Sequence, residues 1–214
     1  MAFTDYKSIE QVLQKESVTI LNDPFLPEDT SIDLPEWFLQ DMTFALSIKS
    51  SQENEVFYEE FFIVPFLKEI WKHHRNIKVW SHVYIKYDDD LCGNPDYVVS
   101  SLREEHTYEV LSTPLLAAVQ AKQQNFIAGW GQCLAAMLAC HKINMKNLPE
   151  SSSLLPVYGI VSTGEIWEFG KLEDHILRKY PAPLSIANPR QLAGALEYIF
   201  TECERNASSH KQIQ

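Results

Sequence analysis

The sequence predicts a single α/β domain (α+β by another convention), with a mixed central sheet of about five strands flanked by helices. Three observations predict it. Period-two alternation and apolar β-prone runs recur between residues 77 and 169, whereas apolar spacings of three and four dominate on either side. An Ala-, Leu- and Met-rich helical segment at about 125–145 separates the third predicted strand from the fourth, which calls for a crossover and a parallel pair. The 214 residues, 45% hydrophobic and 12% aromatic, suit one folded domain with a sizeable core.

Taken in order, residues 5–16 predict a short amphipathic helix with Ile9, Val12 and Leu13 on one side. Residues 21–34 are acidic, contain Pro24 and Pro27 and end at Asp33-Leu34-Pro35, which reads as a loop. Pro35 can open a helix to about Ile48. After the break at 50–54, Phe57, Phe61, Val64, Leu67 and Trp71 mark a helix over about 54–74, kinked by Pro65. Strands are predicted at 77–87, 96–102, 115–121, 157–162 and 166–169, the last two joined around Thr163-Gly164-Glu165. A polar connection spans 103–114, and helices near 172–179 and 189–205 close the chain before a polar, frayed tail from Ala207 to Gln214. No repeat, low-complexity segment or dividing linker interrupts residues 1–214.

Charge and composition exclude several function classes. No run approaches the ~18 apolar residues of a membrane span, and the start lacks the basic and apolar regions of a signal peptide, so a cytoplasmic location and no membrane partner are expected. The four cysteines form no Cys-x-x-Cys, which leaves zinc ribbons unsupported; Cys133 and Cys140, seven apart in an apolar segment, read as buried thiols. The net charge of −11 is concentrated at the N-terminus, where residues 1–60 hold 13 Asp/Glu against 3 Lys/Arg. Such a chain is a poor non-specific nucleic-acid binder, although a small basic groove remains compatible with it. The acidic helical region 1–53 is a natural place for a homodimer contact or another protein partner.

Chemistry concentrates in two places. Gly93-Asn94-Pro95-Asp96-Tyr97-Val98-Val99 puts a carboxylate at the start of an apolar strand. Ala118-Val119-Gln120-Ala121-Lys122 ends a strand with an amide and a cation two residues apart, on one face. A carboxylate beside such an alternating pair is the layout of a metal-dependent phosphodiesterase site, except that a second carboxylate is expected where Gln120 stands. Other candidates fall away. Asp88-Asp89-Asp90 lacks the alternate spacing of a calcium loop. His73 and His74 are adjacent and point to different sides of a helix, and Ser162 has no evident triad partners.

With Glu59-Glu60 and Pro65-Phe66-Leu67 before them, Gly129-Trp130-Gly131-Gln132 after them and the hairpin Tyr158–Phe169, these motifs span about 55–170. In this order they resemble the PD-(D/E)XK nuclease superfamily, whose fold is restriction-endonuclease-like. The likeness is greatest to short stand-alone bacterial members, particularly cyanobacterial ones, and to the nuclease domain of type I restriction subunits. The resemblance implies a Mg²⁺-dependent (or Mn²⁺-dependent) endonuclease, a hydrolase acting on the phosphodiester bonds of DNA. It implies Asp96 as the central metal ligand, Gln120 in the position of the second acidic ligand and Lys122 orienting the attacking water. Glu60, with Glu59 as the near alternative, completes the acidic cluster. Gln120 departs from the family pattern, since an amide oxygen ligates a hard cation without charge. Gln132 departs too, because Ala136 stands where some relatives have Tyr four residues on. The alternative implied by these departures is a catalytically degenerate binding or assembly module.

Overall fold

The computed structural model describes residues 2–28, 30–102, 109–122, 125–147 and 155–211. Arg103–Tyr108, within the predicted polar connection, lie outside the described residues, as does the end of the predicted tail at 212–214. A mixed eight-stranded sheet lies between two helical layers. Its path runs β1 (Thr19–Asn22), β9 (Ile176–Lys179), β8 (Ile166–Glu173), β7 (Val157–Ser162), β6 (Leu115–Ala121), β5 (Tyr97–Ser101) and β2 (Ile77–Ser81). The two-residue β10 (Leu184–Ser185) joins β8, while β3 (Ile85–Lys86) and β4 (Cys92–Gly93) form a separate ribbon. Among the described strands, β1 pairs β9 and β6 pairs β7 in parallel, and every other strand pairing is antiparallel. The β6–β7 pair is the expected crossover, made through α5 (Phe126–Asn147).

The strands alternate as their sequence requires. Val98, Ala118 and Val161 pack with Trp130, Leu134 and Met137 of α5. Tyr97, Val99, Val119 and Ile160 face the opposite layer of α2 (Glu36–Ile48), α4 (Val64–Trp71) and α6 (Pro189–Lys211). Each large apolar side chain so buried contributes about 1.5–3 kcal/mol. α5 is apolar nearly all round because it is covered on both sides. The sheet lies beneath it, and the N-terminal segment with α1 (Ile9–Leu13) crosses above, close enough that a Cβ on Gly131 would meet the backbone of Ser8 at 2.8 Å. Cys133 and Cys140 are buried thiols, as their spacing predicted.

The expectation of about five strands is corrected to eight. The segment predicted as a helix at 172–179 is the turn of a hairpin, with Asp174 at φ 50 between β8 and β9. Its apolar residues suit either period, and the open edge of β8 selects the strand. β1 runs into the start of the expected loop at 21–34: all four of its residues are exposed, so backbone pairing holds it and no apolar period announces it. The predicted strand at 77–87 breaks at His82, whose φ of 50 turns the chain out of β2. Ala207 is buried and α6 continues to Lys211, so the polar tail expected from 207 is largely helical.

The predicted helix at 54–74 is α3 (Glu55–Tyr58), a π-helical turn at Glu59–Ile63, and α4. Asn54 caps it by accepting from the Phe57 N–H at 3.1 Å. The expected kink at Pro65 takes the form of this wide turn, in which the Val64 N–H bonds the Glu59 carbonyl, five residues back. Proline lacks an N–H and crowds the carbonyl four residues back, so a locally wider helix relieves the contact. The extra residue rotates everything before it by about 100° relative to α4.

Candidate functional site

Asp96 immediately precedes β5, Gln120 is the penultimate residue of β6 and Lys122 follows β6. In strand phase all three belong to the α5 face of the sheet. Asp96 Oδ2 accepts from the Gln120 side-chain amide and, at 2.7 Å, from the Ala121 N–H. The Lys122 N–H extends the parallel pairing by donating to the Ser162 carbonyl at 2.8 Å, which fixes the root of its side chain. A Cβ on Gly129 would stand 2.6 Å from Val161 Cγ1 and 3.2 Å from Lys122 Cγ, so glycine lets the first turn of α5 close over this end of the sheet. The Lys122 ammonium pairs with Glu55 Oε1 at 3.2 Å, tying the strand end to the start of α3.

The structure therefore brings Asp96, Gln120 and Lys122 together, but not Glu60. Glu60 is exposed and lines a groove with Trp37, Phe38, Asp41 and Lys68, on the α2 side. The glutamate beside Asp96 is Glu59, whose Oε2 accepts from the Tyr97 hydroxyl at 3.1 Å. The π turn is the reason, because a phase read from α4 is shifted by one residue before it.

Sequence reasoning also missed His82. Its Nδ1 is 3.8 Å from Asp96 Oδ1 and its Nε2 is 4.0 Å from Glu59 Oε2, so one imidazole spans the two carboxylates. His82 alternates with Val83 in an unbroken β pattern, and only the left-handed backbone at this position turns it to the site. Gln132 is buried on α5, and its Oε1 has no hydrogen-bond partner among the described residues.

Burial dominates the electrostatics. It pushes the Asp96 carboxyl up from its ordinary 3.8 to about 6, and Glu59 adds to the rise. The Ala121 N–H, Lys122 and His82 pull the other way and do not overcome it. Tyr97 is also raised, first by burial and then by Glu59.

Among the described residues no group of three or more His, Cys, Asp or Glu converges as a metal cage. A cation such as Mg²⁺ needs less, often one or two carboxylates with the rest of its shell from water and substrate. Asp96 and Glu59 would supply the carboxylates. The Gln120 amide meets Asp96 directly, and a half-turn of that amide presents Oε1 in place of Nε2. The donor set thus fits a hard cation that takes few protein ligands.

Fold and site together define a mixed α/β protein with a carboxylate, an amide and a lysine gathered at one end of its sheet. No protein-family model matches the chain, and no curated protein is similar to it. Among the described residues no helix is long and apolar enough to cross a membrane.

Proposed function

We propose that this is a restriction-endonuclease-like protein that hydrolyses phosphodiester bonds of DNA with Mg²⁺ or Mn²⁺, acting in the cytoplasm. The observation that carries the reading is the direct meeting of Asp96 and Gln120 across β5 and β6, with Lys122 two residues further along the same strand face. When bound, the cation polarises the phosphate and makes water a usable nucleophile near neutral pH. Ionised Asp96, the Gln120 amide oxygen and Glu59 would hold it. The Lys122 ammonium, released from Glu55, orients the attacking water and stabilises charge developing on the phosphate. The Ala121 N–H keeps Asp96 oriented throughout.

A second reading, a binding or assembly module without hydrolysis, is favoured by one feature. Gln120 turns its NH₂ to Asp96, so the pair is satisfied without a cation. The two readings separate in one experiment. The protein is incubated with Mg²⁺ or Mn²⁺ and duplex DNA, single-stranded DNA or RNA, beside Asp96→Ala, Lys122→Ala and Gln120→Glu. Cleavage by wild type that both alanine variants lose supports hydrolysis. Cleavage only by Gln120→Glu supports the binding module, and equal cleavage by Asp96→Ala rejects the site itself.

A further inference from the structure

We infer that His82 is a substrate-contacting residue of this site, donating an imidazole N–H to a non-bridging oxygen of the bound phosphodiester. The inference rests on the phosphodiesterase reading and extends it to a residue that no motif marks. Three observations converge. First, His82 is the accessible group at the site: its side chain is 57% exposed, whereas Asp96 and Glu59 beneath it are each 13% exposed. Second, its ring spans those two carboxylates at 3.8 and 4.0 Å, distances too long for direct hydrogen bonds, so neither carboxylate fixes the ring and it is free to turn an N–H to an incoming acceptor.

Third, the backbone is strained to put it there. A φ of 50 is unfavourable for a non-glycine residue, and such strain persists where surrounding structure enforces it. The enforcement is visible: the His82 N–H donates to the Asp96 carbonyl at 2.9 Å, and Asn94 Nδ2 donates to the His82 carbonyl at 2.7 Å. The conformation would suit glycine better, so the imidazole is what the position gains. Neutral imidazole keeps one N–H and the cation two, so the contact requires no particular protonation state. An anionic phosphodiester approaching two carboxylates needs a donor beside them, and the exposed His82 is in place to be that donor.

The test uses the full chain with Ca²⁺ and a thymidine dinucleotide whose phosphorothioate linkage resists hydrolysis. Imidazole resonances are followed by NMR, with His82 assigned by its loss in His82→Gly. Cleavage of oligonucleotides is measured in parallel with Mg²⁺. Glycine relaxes the backbone, so His82→Gly should melt no lower than wild type yet bind the dinucleotide about tenfold more weakly, as expected for losing one hydrogen bond to a charged group. His82→Asn, which tolerates the same φ and keeps a donor, should recover part of that loss. Unmoved His82 resonances at saturation, or wild-type affinity in His82→Gly, overturn the inference. If wild type binds with His82 shifted but cleaves nothing, the contact stands and the hydrolytic reading falls. If His82→Gly binds and cleaves as wild type does, hydrolysis stands and the role of His82 falls.

Discussion

Asp96→Asn should stabilise the protein at neutral pH, because the site holds a carboxylate that burial disfavours. The Asp96 carboxyl is raised from 3.8 to about 6, and the side chain is largely buried. At about 1.4 kcal/mol per pH unit, ionising it in the folded state costs about 3 kcal/mol relative to the unfolded chain. The sign follows from the direction of the shift. A raised carboxyl contributes stability fully present below pH 3.8 and lost as pH rises through about 6. Asparagine has no such loss, and its amide oxygen still accepts from the Ala121 N–H and the Gln120 amide. Exchanging a charged acceptor for a neutral one returns about 1 kcal/mol. Urea unfolding of both proteins from pH 4 to 8 should show near-equal stability at pH 4 and an advantage of about 2 kcal/mol for Asp96→Asn at pH 7.5. Millimolar Mg²⁺ should narrow that gap by stabilising wild type alone. A gap independent of pH, or one that favours wild type as pH rises, refutes the burial argument.

Gln120→Glu places two carboxylates in contact, so in chelator it should lose about 1–3 kcal/mol at pH 7.5 and then gain more from Mg²⁺ than wild type does. Equal Mg²⁺ responses in calorimetric Tm would count against a shared cation. Glu59→Gln should lower kcat/KM for DNA cleavage by about tenfold or more, whereas Glu60→Gln should change it less than about twofold, since Glu60 faces the α2 groove. The reverse order would place the wrong glutamate at the site. Gly194→Ala should cost about 3 kcal/mol or more, or prevent folding, because its Cβ would fall 0.9 Å from the Thr30 carbonyl oxygen. An unchanged urea midpoint would show that residues 30–34 do not lie against α6 as described.

What could be read from the chain is what local patterns encode. The apolar, β-prone runs at 97–101 and 115–121 and the helix at 126–147 place Asp96, Gln120 and Lys122 in strand phase, and the parallel crossover follows from a helix between two strands. The apolar spacing around Cys133 and Cys140 likewise foretells their burial. These features depend on residues within one or two turns of each other, so the sequence by itself determines them.

Three other features were decided only when distant segments met. β1 and β9 form because β8 has an open edge, not because their own residues alternate. The π turn before Pro65 brings Glu59 rather than Glu60 beside Asp96, and one inserted residue leaves no trace in an apolar period. His82 reaches the carboxylates only because hydrogen bonds to Asp96 and Asn94 hold its backbone in a region that β-strand periodicity forbids. The chain encodes its layers through short-range repetition, whereas the site depends on single-residue departures from repetition, which long-range contacts select and hold in place.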